Sequence, residues 1–328
     1  MNLIQKYKKV LTNIYYEWYI NNKKKRGESS MKDKVKVYFT NKITPESLVK
    51  IYEAVRKDLP GNVGVKISTG EPGGHNYLKP ELIKNLVEKV NGTIVENCTA
   101  YGGKRQALED HLKCVEDHGF TKIAKVDILD SEGEISIPTR EGSKHLKEDI
   151  IGSHSENYDS ILMLSHFKGH AMGGFGGALK NMSIGMASTK GKLNIHSAGA
   201  ENQEQDYVWS HLPAQDDFLE SMAEACTAVV DYYEKKGGIV YINVINNLSV
   251  DCDCDSNPET PCMQDIGITA SLDPVAIDRA SLDLIYKSQD PGREHFLERV
   301  ETRHGAHTIE HAVTLGLGTT FYEFVNID

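Results

Sequence analysis

Ile161-Leu162-Met163-Leu164 is an unbroken apolar run, and Ser165-His166-Phe167-Lys168-Gly169-His170-Ala171-Met172-Gly173-Gly174-Phe175-Gly176-Gly177-Ala178-Leu179-Lys180-Asn181 follows it directly. A strand buried on both faces of a parallel sheet reads this way, because apolar neighbours lie above and below it. The glycines mark a loop, and a helix is expected from about Ala178. Ile239 to Ile245 is a second buried-strand run. Working outward, Val35 to Phe39, Val63 to Ile67, Thr93 to Glu96 and Ile123 to Leu129 have strand composition. Helical signals alternate with them. Thr44 and Pro45 open one helix as N-cap and first-turn proline. Pro80 opens another, with Leu82, Ile83, Leu86, Val87 and Val90 on one face and Gly92 as its stop. Gln106 to His118 is helical up to Gly119. Phe218, Leu219, Met222, Cys226, Val229, Val230 and Tyr233 mark a long amphipathic helix. Asp273-Pro274 caps a helix that runs to about Tyr286. A last helix precedes Gly316 and Gly318, and Phe321 to Phe324 reads as a closing strand. This alternation predicts an α/β fold with a mixed, mostly parallel sheet flanked by helices. The polar stretch Ser131 to Lys144 reads as a hairpin, or as a border dividing residues 31–328 into two sub-domains near 131–150.

The chain has 328 residues and a formal net charge of −10, from 37 basic and 47 acidic residues. Phosphate backbones and anionic membranes bind basic surface, so neither nucleic acid nor membrane is the expected partner. No run reaches the ~18–20 apolar residues of a membrane span. The 6 Cys are sparse, and half of them fall at 252, 254 and 262, which points to thiol or metal chemistry in the cytoplasm rather than disulfides. Residues 1–30 read as an extension. Lys24 to Glu28 can be written in purine codons, as an in-frame ribosome-binding site would be, so native translation is expected to begin at Met31.

The glycine loop follows a strand end, where open α/β sheets bind ligands. Backbone amides at Gly173, Gly174, Gly176 and Gly177, with the helix N-terminus behind them, suit an anion. No Walker A or dinucleotide pattern is present. The strings SHFKGHAMGGFGGALKN, DCDC and SLDPVAIDRASLDLI, together with KISTGEPGGHNYLKPEL, YGGKRQAL and GLGTTFYE, resemble the domain-of-unknown-function family 362 from about Val35 onward. Many members carry a ferredoxin-like cysteine module after the segment matching Lys190 to Ser197. Here Ala198 to Asp217 has no cysteine, so the part of the pattern that implies electron transfer is missing. A shorter stretch is similar to nickel-pincer lactate racemases: His170, Lys180 and His196 occur in the same order and at similar spacing. That resemblance implies a cofactor or anion held by Lys180, a proton shuttled by His170 and a metal bound by His196. Non-covalent charge pairing is the simpler role for Lys180.

Asp251-Cys252-Asp253-Cys254-Asp255 follows the second buried strand. Thiolates and carboxylates together suit zinc, iron or nickel. Cys252, Cys254 and Cys262 with one outside ligand could hold an iron–sulfur cluster. If this segment were a strand, the thiols would lie on one face and the acids on the other. His166, His170, His196 and Asp251 complete the candidate metal ligands. Glu71 and His75, in a loop after a strand, offer general acid–base chemistry. Lys104 and Arg105 could bind a carboxylate or phosphate. Trp209 and His211 suggest a lid over the site. Asp273 reads as an N-cap, and Asp278 faces either solvent or the site. His307-Thr308-Ile309-Glu310-His311 has the form of an inverted zinc-protease helix. Only Glu323 and Asp328 supply acids after it, so a polar helix face is the expected reading. The sum is a metal-dependent enzyme, an oxidoreductase or isomerase, acting on a small anion by redox or proton transfer. The alternatives are an iron–sulfur carrier with a redox partner protein, and a non-catalytic binding protein whose metal staples a loop.

Overall fold

A computed structural model describes residues 34–328, of which Val35–Asp328 form one compact unit. The expectation for residues 1–30 falls outside the described residues. The strands are β1 Val35–Thr40, β2 Val63–Lys66, β3 Thr93–Glu96, β4 Val126–Ile128, β5 Glu134–Pro138, β6 Glu148–Gly152, β7 Ser160–His166, β8 Lys168–His170, β9 Gly174–Gly176, β10 Gly238–Ile245, β11 Gly267–Ser271 and β12 Tyr322–Asn326. The helices are α1 Pro45–Val55, α2 Pro80–Lys89, α3 Leu108–Asp117, α4 Ala178–Met186, α5 Thr189–His196, α6 Gln205–Ser210, α7 Gln215–Glu234, α8 Pro274–Lys287, α9 Arg293–Thr302 and α10 Ala306–Thr314. Eight strands form the main sheet in the order β12-β1-β11-β10-β7-β2-β3-β4. Only β11 runs antiparallel to its neighbours. The fold is α/β with a mixed, mostly parallel sheet, as the alternation predicts.

The period-two geometry of β7 and β10 divides the core. Ile161, Met163, Ile239 and Tyr241 face one way and pack with α4, α7 and α8. Leu162, Leu164, Val240, Ile242 and Val244 face the other way and pack with α1 and α2. Helix starts follow local chemistry. Thr44 accepts from the Ser47 amide, and Asp273 accepts from those of Val275 and Ala276. The longest helix departs from the amphipathic reading: α7 is buried without a break from Phe218 to Val230, Glu220 and Glu224 included. The stretch read as a strand over Ile123 to Leu129 pairs only at Val126–Ile128, because a 3₁₀ turn at Phe120–Lys122 precedes it. The polar segment after Ser131 contributes a turn and β5, which pairs antiparallel with β6. The parallel strands β2, β3, β7 and β10 all end on one edge of the sheet. The loops that leave this edge build the site.

Candidate functional site

Beyond β7 the chain makes a small hairpin, with Lys168 opposite Gly176 and His170 opposite Gly174. This hairpin lies directly on the loop after β10. The Gly169 amide donates to the Ser249 carbonyl at 2.8 Å. A Cβ at Gly169 would fall 2.3 Å from the Val250 carbonyl oxygen, so only glycine allows this approach. The contact brings His170 to Cys252 and Cys254, and the ligand atoms of the three lie within 4.8 Å of one another. The Asp251–Asp255 segment is a turn, closed by the Asp255 amide on the Cys252 carbonyl, and not a strand. Its acids are nevertheless kept from the thiols. Asp253 takes His166 Nδ1 at 2.8 Å and Lys168 Nζ at 2.9 Å. Asp251 takes Arg299 and the Glu259 amide.

The two thiols lie side by side and are driven apart in acidity. Cys252 is held well below the ordinary thiol value, first by the hydrogen bond from Cys254, then by the Lys180 and Lys168 ammoniums and by His170, against its burial. Cys254 is pushed well above by the same bond and by burial. Lys180 Nζ lies 3.6 Å from Cys252 Sγ. His170 Nδ1 accepts from the amides of Gly173 at 2.8 Å and Met172 at 3.2 Å. The proton therefore sits on Nε2, facing Cys252. His196 is the reverse. Its Nδ1 donates to the Lys192 carbonyl at 2.7 Å, which leaves Nε2 bare. Its ring packs between Trp209 and Phe218, and burial pulls its pKa down to about 3. A backbone carbonyl that fixes the tautomer in this way is the usual support of a metal-binding or basic imidazole.

His170, His196 and Cys254 line one cavity with about 1040 Å³ of empty space, part of it open to solvent. Its wall also carries Lys66, Arg105, Lys168, Lys180 and Lys192. Buried Glu96 accepts from Arg105 Nη1 at 3.0 Å and faces Lys66 Nζ at 3.6 Å. Lys168 is matched by Asp253. Lys192 Nζ donates to the Ala187 carbonyl. Among the described residues, no carboxylate lies within 4 Å of Lys180 or Lys192. Burial pulls Lys66 and Lys192 down to about 8, against the attraction of Glu96 and, for Lys192, Asp130.

Several sequence expectations are corrected. The glycine loop is no anion cradle. The amides of Ala178 and Leu179 at the start of α4 are taken by Asp278 at 2.7 and 2.9 Å. Gly177 lies against that carboxylate, Gly173 donates to His170, and Gly174 and Gly176 form the hairpin. Asp278 faces neither solvent nor the cavity and caps α4 from α8. Both ring nitrogens of His166 are engaged, by Asp253 and by the Asn246 carbonyl, so it offers no metal ligand. Cys262 donates to the Leu248 carbonyl and packs against the hydrophobic core. The three-cysteine set needed for a cluster is therefore not assembled. Glu71 is buried and tied to Arg105 and Tyr101, which positions that loop instead of offering a free base. His75 is exposed and lines no part of the cavity. Lys104 is exposed and pairs with Asp110. Trp209 does form a wall, fixed by its indole donating to the Ala100 carbonyl, whereas His211 stacks on exposed Tyr207. Lys66, Glu96 and Lys192 were missed. A lysine inside the apolar strand Val63 to Ile67 was the available signal, since a buried charge needs a partner.

The sequence pattern of the family described as a domain of unknown function, DUF362, matches residues 63–283. The chain belongs to the DUF362 family. The DUF362 span is shorter than the stretch from Val35 expected of it, but it takes in every cavity residue from Lys66 to Cys254. No curated protein matches the chain. Among solved structures, the lactate racemase apoprotein from Thermoanaerobacterium thermosaccharolyticum is similar over 79% of this chain and 59% of its own, at 13% identity and a TM-score of 0.41. A protein from Thermotoga maritima is similar over 82% of this chain and 58% of its own, at 14% identity and a TM-score of 0.33. This DUF362 chain thus spans less than two thirds of either protein's length. Among its described residues, no helix is long and apolar enough to cross a membrane.

Proposed function

We propose that this protein is a cytoplasmic, metal-dependent enzyme that moves a proton on a small carboxylate or phosphate, an isomerase in reaction class. One observation carries the reading. Cys254, paired with Cys252 and close to His170, faces one cavity together with two ammoniums that lack carboxylate partners among the described residues, partly buried Lys180 and buried Lys192. A divalent metal of borderline softness fits the donor set, because two thiol sulfurs and one imidazole nitrogen converge there. His170 is the imidazole placed to complete the shell, in mutual reach of both sulfurs. A metal so held would supply Lewis acidity at a substrate oxygen. Lys192 and Lys180 bind the anionic group, whose charge offsets theirs. His196 presents its bare nitrogen to the same cavity and is the proton acceptor there. Trp209 and Met172 limit the access of water.

Anaerobic purification followed by elemental analysis tests the reading. About one zinc, iron or nickel per chain more is expected in the wild type than in either Cys252→Ser or Cys254→Ser. Protein that is metal-free and also binds no metal on anaerobic titration would overturn it.

A further inference from the structure

The cavity follows one face of α4. Gly177, Lys180, Asn181, Ile184 and Gly185 line it, and their spacing of three and four residues sets them in one stripe along the helix. Lys180 sits in the first turn. Side chains lean toward the N-terminus of their helix, and Lys180 Nζ accordingly reaches the thiols, 3.6 Å from Cys252 Sγ. Other groups gather where α4 ends. Asn97 Nδ2 donates to the carbonyls of Gly185 and Met186 at 3.0 Å, and Lys192 Nζ donates to that of Ala187. From Lys180 to Ala187 the helix rises about 10 Å. The two ammoniums therefore stand at opposite ends of one trough. Ile184 lies between them on the same face, and Ala100 and Trp209 add apolar wall. Thr99, whose carbonyl accepts from Thr189 at the start of α5, also lines the cavity, and its buried hydroxyl has no hydrogen-bond partner among the described residues.

The charges do not cancel. Among the described residues five cations line the cavity: Lys66, Arg105, Lys168, Lys180 and Lys192. Glu71 and Glu96 serve Arg105 and Lys66, and Asp253 serves Lys168. Asp130 attracts Lys192 from further off but gives its oxygens to the amides of Cys98 and Thr189. Lys180 and Lys192 are left over, and each repels the other. A divalent ion on two thiolates is neutral as a unit, so loading the thiol centre leaves this excess in place.

We propose that the substrate is an elongated dianion, with one anionic group held by Lys180 beside the thiols, the other by Lys192 at the far end of α4, and an apolar stretch between them. The proposal rests on the reading of this cavity as the substrate site, and it narrows the class: a short anion such as malonate cannot reach both ends.

The test uses the full-length chain carrying Cys252→Ser, which removes the competing thiolate and the thiol metal centre together, so anion binding is read without the metal. Isothermal titration calorimetry at pH 7 compares adipate with hexanoate, which has the same length and one charge, and with malonate. Adipate should bind at least about tenfold more tightly than either, the worth of one charge-assisted contact. The same order should hold in the wild type. Adding Lys180→Met or Lys192→Met should each erase the preference of adipate over hexanoate. Equal affinity for adipate and hexanoate overturns the proposal, as does a preference that survives both lysine substitutions, or binding of neither anion. Each of these results leaves the metal content of the wild type, and the reading built on it, to be judged separately.

Discussion

The Lys180 ammonium lies 3.6 Å from the Cys252 sulfur, and among the described residues no carboxylate within 4 Å competes for it. Removing that charge should make Cys252 a weaker acid. In metal-free protein, the rate of iodoacetamide capture at Cys252, followed by mass spectrometry across pH, should rise well below pH 9 in the wild type. In Lys180→Met the profile should move to higher pH. Superimposable profiles would show that the pair has no electrostatic consequence.

Lys192→Met should trade binding for stability. A buried ammonium without a carboxylate partner costs folding free energy, so the apolar replacement should stabilise by about 1–3 kcal/mol. Affinity for a small carboxylate such as lactate or malonate should fall at least about tenfold. The pH dependence has a definite sign. In the folded chain Lys192 loses its proton near 8, below its ordinary 10.5. Between those values the unfolded chain holds the extra proton, so stability should rise with pH through that window. The rise should shrink in Lys192→Met, with Lys66 supplying the remainder. Urea melts at pH 7.5 and 10 measure both effects.

Trp209 packs against His196 with ring centroids 5.0 Å apart. An anion entering the cavity should therefore change its emission. The chain has 2 Trp, so Trp18→Phe isolates the signal. A saturable change that survives Trp18→Phe and disappears in Trp209→Phe is expected. A change lost with Trp18 would place the ligand elsewhere.

Gly177→Ala should destabilise by at least about 2 kcal/mol. The new methyl would sit 2.4 Å from Asp278 Oδ1, the carboxylate that holds the first amides of α4. A chemical-denaturation midpoint equal to that of wild type would show that Asp278 moves aside without cost.

The sheet was readable because β7 and β10 are apolar on both faces, a pattern few other elements share. The caps at Thr44 and Asp273 were readable because they act within three residues. Features that depend on distant pairing were not. Asp278 caps a helix about a hundred residues upstream, and no local rule announces that. The glycine loop looked like an anion cradle because its amides are unassigned in sequence; the structure gives those of Gly173, Ala178 and Leu179 to His170 and Asp278. The thiol pair was legible from Cys-x-Cys, yet its separation from the neighbouring acids comes from His166, Lys168 and Arg299 and not from strand alternation. Lys192 was hidden because a lysine on a short helix ordinarily points to water.

The backbone contact between Gly169 and Val250 joins two segments eighty residues apart. Neither residue carries a reactive group. A deep mutational scan should nonetheless find Gly169 as intolerant as the cysteines, since even a methyl there would lever His170 away from Cys252. Position 169 is thus where a purely steric lesion would mimic loss of a catalyst.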